Sequence, residues 1–430
     1  MIELIQGSHH FQGNLSIPGD KSISHRALMF GALAEGVTEV IGLQEGEDVK
    51  STAQCLSQLG VKIWKSGDTT FIEGLGNRNF TNPAENLDCA NSGTTMRVMM
   101  GILSGISNLK CTLVGDSSLS KRPMKRVAEP LLQMGANISL AEGNFSPVII
   151  QGAHLHPTEY HLKIASAQMK TAFIMAAMRA EGMSKIIGEI ESRDHTERLM
   201  ESFGGKIFVN KDKKEILIPG PQQLKASKVM VPGDPSTAAF WVAAACLIKD
   251  SKLVLKGVSL NPTRIGFMEV LKRSGASIQY FENVSKPEPI GDIHVTYAPL
   301  SAFQVTPEEV PGLIDEVPLL AILATQCHGV STVKGAEELR VKESDRIEAV
   351  AVNLRKMGVE IETFFDGFKI PGPQILKGAT IQTFHDHRIA MAFSIAGLLV
   401  HSGTTEIEGA ECAAVSYPQF YADLKRMTKF

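Results

Sequence analysis

The chain has 430 residues, 43% of them apolar, with a formal charge of -3 and a pI near 6.5. Its length exceeds one ordinary hydrophobic core, so two domains are expected, and its near-neutral balance excludes the broad basic field used by nucleic-acid and anionic-membrane binders. The start, Met1-Ile2-Glu3-Leu4-Ile5-Gln6-Gly7, lacks the leader of a signal peptide, no apolar run is long enough to span a bilayer, and Cys55, Cys89, Cys111, Cys246, Cys327 and Cys412 form no Cys-x-x-Cys pair; a cytoplasmic chain with reduced thiols is expected.

In chain order, one segment recurs six times: an extended stretch, a tight turn of small or polar residues, then an apolar helix rich in alanine and methionine. The copies begin at Leu15-Ser16-Ile17-Pro18-Gly19-Asp20, Leu87-Asp88-Cys89, Leu162-Lys163-Ile164, Val229-Met230-Val231-Pro232-Gly233-Asp234, Gly312-Leu313-Ile314-Asp315-Glu316 and Ile381-Gln382-Thr383. A β-branched run closed by glycine follows each helix, as at Val40-Ile41-Gly42, Val254-Leu255-Lys256-Gly257 and Glu406-Ile407-Glu408-Gly409, and reads as a strand. A second helix then ends at Leu59-Gly60, Met134-Gly135, Phe203-Gly204, Ser274-Gly275 and Met357-Gly358, with isoleucine three residues past each glycine to open the next strand.

The unit is therefore β-α-β-α-β-β, with a period of roughly 70 to 80 residues, longer than most solenoid repeats. The shared Pro-Gly-Asp of copies one and four divides the six as three plus three. The expected domains are 1–18 with 229–430, and 19–228. The last copy ends in a helix running to Phe430 and lacks its final strands, which residues 2–17 are expected to supply.

Polar residues gather at the turn before each first helix, where outward-pointing backbone amides favour anions. Asp20 reads as an N-cap, placing Lys21, Ser22 and Arg26 on the first turns. Gly93 permits close backbone approach within Asn91-Ser92-Gly93-Thr94-Thr95-Met96-Arg97. Lys121, Arg122, Lys125 and Arg126 surround Pro123, read as opening a helix, and no interleaved aromatics suggest single-stranded nucleic acid. The third copy offers Ser166, Ala167 and Gln168, then Arg193 ahead of an Asp194/Glu197 capping box. The second half adds carboxylates: Asp315 and Glu316, then Lys342 and Glu343 before an Asp345/Glu348 capping box, and His385-Asp386-His387-Arg388. Exposed ion pairs or a solvated face are the ordinary reading of any one such cluster; recurrence at equivalent turns favours an anion site. His385 and His387 alone do not make a metal site, so no metal and no cofactor are expected.

Together, Pro18-Gly19-Asp20-Lys21-Ser22-Ile23-Ser24-His25-Arg26, Asn91 to Arg97, Lys121-Arg122-Pro123-Met124, Arg340-Val341-Lys342-Glu343-Ser344-Asp345-Arg346 and Asp386-His387-Arg388-Ile389-Ala390-Met391-Ala392 resemble, in order, the signature segments of the 5-enolpyruvylshikimate-3-phosphate synthase family. Ser166 to Lys170 and Arg193 to Glu197 look like its bacterial class II. The resemblance implies an α/β fold of two globular halves, each of three βαβαββ units about a pseudo-threefold axis (an inverse α/β barrel), with the active site in the interdomain cleft. It implies transfer of the enolpyruvyl group of phosphoenolpyruvate to the 5-hydroxyl of shikimate 3-phosphate by addition and elimination.

By the same resemblance, Lys21 touches both substrates; Ser22, Arg26, Ser166, Ala167, Arg193, Asp315 and Lys342 hold shikimate 3-phosphate; and Gly93, Arg122, Gln168, Arg346 and Arg388 hold phosphoenolpyruvate. Asp315 is implied as the base for the hydroxyl and Glu343 as the acid, with Lys21 and His387 as competing proton carriers. The partners expected are these two small molecules, not nucleic acid or membrane, and the chain is expected to be a monomer. Repulsion among the cations suggests an open unliganded form. The family's C-terminal lysine in Lys-Thr-Phe-Pro is matched by Val415-Ser416-Tyr417-Pro418, so the resemblance does not extend to that contact. Some inhibitor-insensitive members carry alanine where Gly93 stands, so inhibition by glyphosate is expected.

Two rival readings differ in kind. A UDP-N-acetylglucosamine enolpyruvyl transferase typically has Lys-Asn in place of Lys21-Ser22 and a loop cysteine, whereas Gly115 to Arg122 has none and Cys111 lies earlier, in a predicted strand. The other is a non-catalytic anion- or RNA-binding repeat protein.

Overall fold

A computed structural model describes residues 1–76 and 80–428; the expected end of the last helix at Phe430 lies outside them. The described residues form six small sheets, and the chain divides into two compact units, one of residues 1–18 and 232–430 and the other of residues 19–231. Each unit has its own apolar core.

The six first helices are Lys21–Leu33, Gly93–Ser104, Ala167–Ala177, Pro235–Leu247, Val317–Ala324 and His387–Leu398. Val317–Ala324 and His387–Leu398 are buried on every side, which is what an all-round apolar sequence requires. Within each unit the first helices pack on one another. The second helices, such as Lys125–Gln133 and Gly266–Arg273, bury one stripe and expose the other. Their ends follow the glycine signature: Gly60, Gly135, Gly204, Gly275 and Gly358 all have positive φ, between 74° and 104°, a conformation that a side chain would strain.

Five of the six sheets repeat one order, an edge strand parallel to the strand after the first helix and then two antiparallel strands; in the second, third and fifth repeats that edge strand is the one entering the repeat. The two strands at which the chain changes unit depart from the expected assignment. Gln12–Ser16, which leads into the first helix, pairs in parallel with Lys252–Ser259 of the fourth repeat. Lys228–Met230, which leads into the fourth helix, pairs with Glu35–Ile41 of the first. Each crossing strand stays with the unit it leaves and fills the parallel edge that the other vacates. Residues 2–17 therefore supply only one strand to the last sheet, Ile2–Ile5 against Thr405–Glu408, and that sheet has three strands. Phe11, fully buried, stacks on Trp241 at 6.2 Å and ties the N-terminal segment to the core of its unit.

Three local expectations are corrected. The fifth repeat does not begin with an extended stretch at Gly312: its strand is Gln304–Val305, and Val310–Gly312 and Ile314–Glu316 are 3-10 turns, because Pro311 and Pro318 preset helical φ on either side. Gly257 does not close its strand, which runs on to Ser259 through a register shift between Leu255 and Val258; the glycine adopts φ +62° there. Pro123 lies outside the helix it was expected to open, which starts at Lys125.

Candidate functional site

Helix caps position the polar turns. Asp20 accepts a hydrogen bond from the amide of Ile23 at 2.9 Å, Ser92 from that of Thr95 at 3.1 Å, Ser166 from that of Met169 at 3.4 Å and Asp386 from that of Arg388 at 2.9 Å. Each cap spends a short polar side chain on an amide that would otherwise lack a partner. Lys21, Gly93, Ala167 and His387 are thereby the first residues of their helices.

In the unit of residues 19–231, two groups form. Lys21 Nζ donates to Asp48 Oδ2 at 2.8 Å. Arg193 Nη1 donates to Ser22 Oγ at 3.3 Å, joining the third repeat to the first. Arg26, 2% exposed, donates to the backbone carbonyl of Ser22 at 2.9 Å and to the hydroxyls of Thr171 and Thr196, each at 2.7 Å. His25 lies beside it with Nδ1 2.7 Å from Thr52 Oγ1. Burial, then the charges of Lys21 and Arg26, hold the His25 pKa well below its ordinary 6.5.

The second group surrounds Gly93. Arg97 Nη1 donates to Gln168 Oε1 at 2.6 Å, and the Gln168 amide donates to Thr94 Oγ1 at 3.0 Å. Arg122 Nη2 donates to Asn91 Oδ1 at 2.8 Å and Ser118 Oγ at 3.2 Å. A methyl group on Gly93 would lie 3.2 Å from Arg97 Nη1 and 3.5 Å from Arg122 Nη1. Two guanidiniums thus border a helix N-terminus kept clear by a missing side chain, an arrangement that suits a small anion.

In the other unit Arg346, 1% exposed, is the hub. Its Nε donates to Asp386 Oδ2 at 2.8 Å, Nη2 to Glu343 Oε2 at 2.7 Å and Nη1 to Asp315 Oδ1 at 3.2 Å. Burial works against its charge, but Asp386, Glu343 and Asp315 outweigh that, and its pKa is raised. Burial likewise opposes ionisation of Asp386, yet Arg346 and His387 hold its carboxyl below the usual range. Asp315 is approached by two further cations, Arg388 at 3.6 Å and Lys342 at 3.9 Å. Arg388 also reaches Glu316 Oε1 at 3.3 Å, and His387 is buried next to Asp386.

The predicted residues thus divide between the units: Lys21, Ser22, Arg26, Gly93, Arg122, Ser166, Ala167, Gln168 and Arg193 in one, and Asp315, Lys342, Glu343, Arg346, His387 and Arg388 in the other. Val415 ends the 3-10 stretch Ala410–Val415. Within each unit, Lys21, Arg346 and Arg388 have carboxylate partners. The Asp194/Glu197 capping box is also absent. Asp194 pairs with Arg198 at 2.9 Å and Glu197 with buried Lys170 at 2.7 Å; an ammonium in the core claims the carboxylate more strongly than a backbone amide does. Asp345 does cap its helix, accepting from the amide of Glu348 at 3.0 Å. Asp48, Arg97 and Asp386 join these clusters without having been singled out as site residues; Arg97 was signalled by its place four residues after Gly93. Cys111 lies in the strand Lys110–Val114, and burial pushes its thiol up to about 12, unlike an activated nucleophile.

Fold and clusters define an α/β protein of two three-repeat units whose cations and carboxylates stand at helix N-termini, the class of the enolpyruvyl transferases. The family model for EPSP synthase (3-phosphoshikimate 1-carboxyvinyltransferase) matches residues 5–424, and the chain belongs to that family. The 3-phosphoshikimate 1-carboxyvinyltransferase of Streptococcus pyogenes is 46% identical over 418 residues, 97% of each chain. That of Carboxydothermus hydrogenoformans is 45% identical over 432 residues, 100% of each. A solved structure of EPSP synthase from Acinetobacter baumannii has a TM-score of 0.87 and 40% identity, covering 99% of this chain and 98% of that one. Among the described residues no helix is long and apolar enough to cross a membrane.

Proposed function

We propose that the clusters of both units act on the same pair of substrates, with Asp315 as the base at the reacting hydroxyl. As a family member, the chain transfers the enolpyruvyl group of phosphoenolpyruvate to shikimate 3-phosphate in the shikimate pathway. Lys21, Ser22, Arg26, Ser166, Ala167, Arg193, Asp315 and Lys342 bind shikimate 3-phosphate. Lys21, Gly93, Arg122, Gln168, Arg346 and Arg388 bind phosphoenolpyruvate.

The observation that carries this reading is Asp315 among three cations at 3.2, 3.6 and 3.9 Å. These contacts are longer than those Arg346 makes to Asp386 and Glu343, at 2.8 and 2.7 Å. Asp386 and Glu343 take the short bonds that orient the guanidinium; Asp315 stands within reach of the same cations and accepts the proton of the 5-hydroxyl as its oxygen attacks carbon two of phosphoenolpyruvate. Glu343, once it has taken up a proton, delivers it to carbon three, giving a tetrahedral adduct. Loss of a proton from carbon three and departure of phosphate complete the exchange, with Lys21 and His387 as the further proton carriers. The arginines stabilise charge on the carboxylate and phosphate throughout.

The test is phosphate release from phosphoenolpyruvate. Release should require shikimate 3-phosphate and be unaffected by UDP-N-acetylglucosamine; release driven by the UDP-sugar would overturn the reading. The same reading gives a cytoplasmic monomer, which sedimentation of the purified chain tests: a single species at twice the chain mass would exclude it.

A further inference from the structure

We infer that Lys170 is a positioning residue for shikimate 3-phosphate, acting through Arg193; this rests on the reading of Arg193 as a ligand of that substrate. Lys170 is 1% exposed, in the first turn of a helix that is otherwise apolar from Met169 to Ala177 apart from Thr171. A buried ammonium costs several kcal/mol unless its protons are all engaged. Here three acceptors meet it: Glu197 Oε1 at 2.7 Å, the carbonyl of Ile190 at 3.2 Å and the carbonyl of Ser192 at 3.3 Å.

Both carbonyls belong to the connection between the strand Gly182–Gly188 and the helix His195–Ser202, and Ser192 immediately precedes Arg193. The ammonium therefore grips the backbone one residue before the arginine whose Nη1 reaches Ser22 Oγ at 3.3 Å. A second rung lies alongside. Thr171 and Thr196, neighbours of Lys170 and Glu197 in sequence, bond each other at 2.7 Å, and both accept from Arg26. Lys170 also donates its backbone amide to the carbonyl of Ser166 at 3.0 Å. One helix thus fixes Ser166 at its start and Arg193 through its buried lysine, which sets the spacing of two groups assigned to the same substrate.

A lysine that merely filled the core would affect stability without affecting one substrate more than the other. Steady-state kinetics of three variants separate the cases: Arg193→Ala, the paired Lys170→Met with Glu197→Gln, which leaves no unpaired buried charge, and all three changes together. Arg193→Ala should raise KM for shikimate 3-phosphate about 10-fold or more, the loss of one charge-assisted phosphate contact. The paired variant should raise the same KM by roughly 10-fold, with KM for phosphoenolpyruvate within about 2-fold of the parent. The triple variant should be no worse than Arg193→Ala, because the two changes remove one interaction.

A normal KM for shikimate 3-phosphate in the paired variant, beside a raised one in Arg193→Ala, overturns the inference and leaves the ligand assignment standing. Additive losses in the triple variant also overturn it, since Lys170 then acts independently of Arg193. A normal KM in Arg193→Ala removes the ligand assignment and the inference with it. If the paired variant does not fold, Lys170→Leu with Glu197→Met, which likewise removes the donor to the two carbonyls and leaves no buried charge, is measured against the same criteria.

Discussion

The ammonium of Lys21, the first residue of its helix, lies 2.8 Å from the carboxylate of Asp48 in the first turn of the next helix, and both side chains are largely buried. Such a pair orients the lysine before any substrate arrives. Asp48→Asn keeps the shape and removes the charge, so kcat/KM is expected to fall by roughly 10- to 100-fold, the equivalent of one charge-assisted hydrogen bond. Unchanged kcat/KM for both substrates would limit Asp48 to a structural role.

Asp315→Asn removes the proposed base while leaving its volume and the neighbouring cations in place. Turnover is expected to fall by on the order of 100-fold or more, with shikimate 3-phosphate still binding measurably by calorimetry. Near-normal turnover would take Asp315 out of the proton-transfer steps.

Gly93→Ala would place a methyl group 3.2 Å from Arg97 Nη1 and 3.5 Å from Arg122 Nη1. The expected result is a raised KM for phosphoenolpyruvate and weakened inhibition by glyphosate, with KM for shikimate 3-phosphate little changed. The parent chain should be inhibited by glyphosate; kinetics that do not respond to high inhibitor concentration would contradict the open space inferred beside Gly93.

His25 is fully buried and its pKa is depressed below 6.5 by burial and by Lys21 and Arg26. Between the two pKa values the unfolded chain binds a proton that the folded chain refuses, so stability increases with pH up to about 6.5 and then levels off. As pH falls below that point, this group alone should remove about 1.4 kcal/mol per pH unit from the unfolding free energy. Urea unfolding at several values between pH 5 and 7.5 checks the slope, and His25→Gln should flatten it. An identical slope in the variant would assign the pH dependence to other groups.

What could be read along the chain was what neighbouring residues decide. Asp20, Asp345 and the five helix-ending glycines act within four residues of themselves, through caps and positive φ, and the structure has them where the sequence put them. The all-round apolar first helices and their succession of strands depend on periodicity in the same local way. The Asp194/Glu197 box failed for the complementary reason: Lys170, far off in sequence, outcompeted the amide for Glu197.

By itself, then, the sequence determined the six repeats, the helix ends marked by the five glycines and the turns that carry the polar residues, because these rest on backbone geometry and amphipathic period. Only the tertiary structure decided that Gln12–Ser16 and Lys228–Met230 join sheets of repeats they do not introduce. It alone decided that Asp48, Asp386 and Glu197 partner Lys21, Arg346 and Lys170. A strand's edge accepts any partner of matching register, and a buried cation takes whichever carboxylate the packed core brings within about 3 Å. Both choices are made by long-range packing, which leaves no mark at a fixed spacing along the chain.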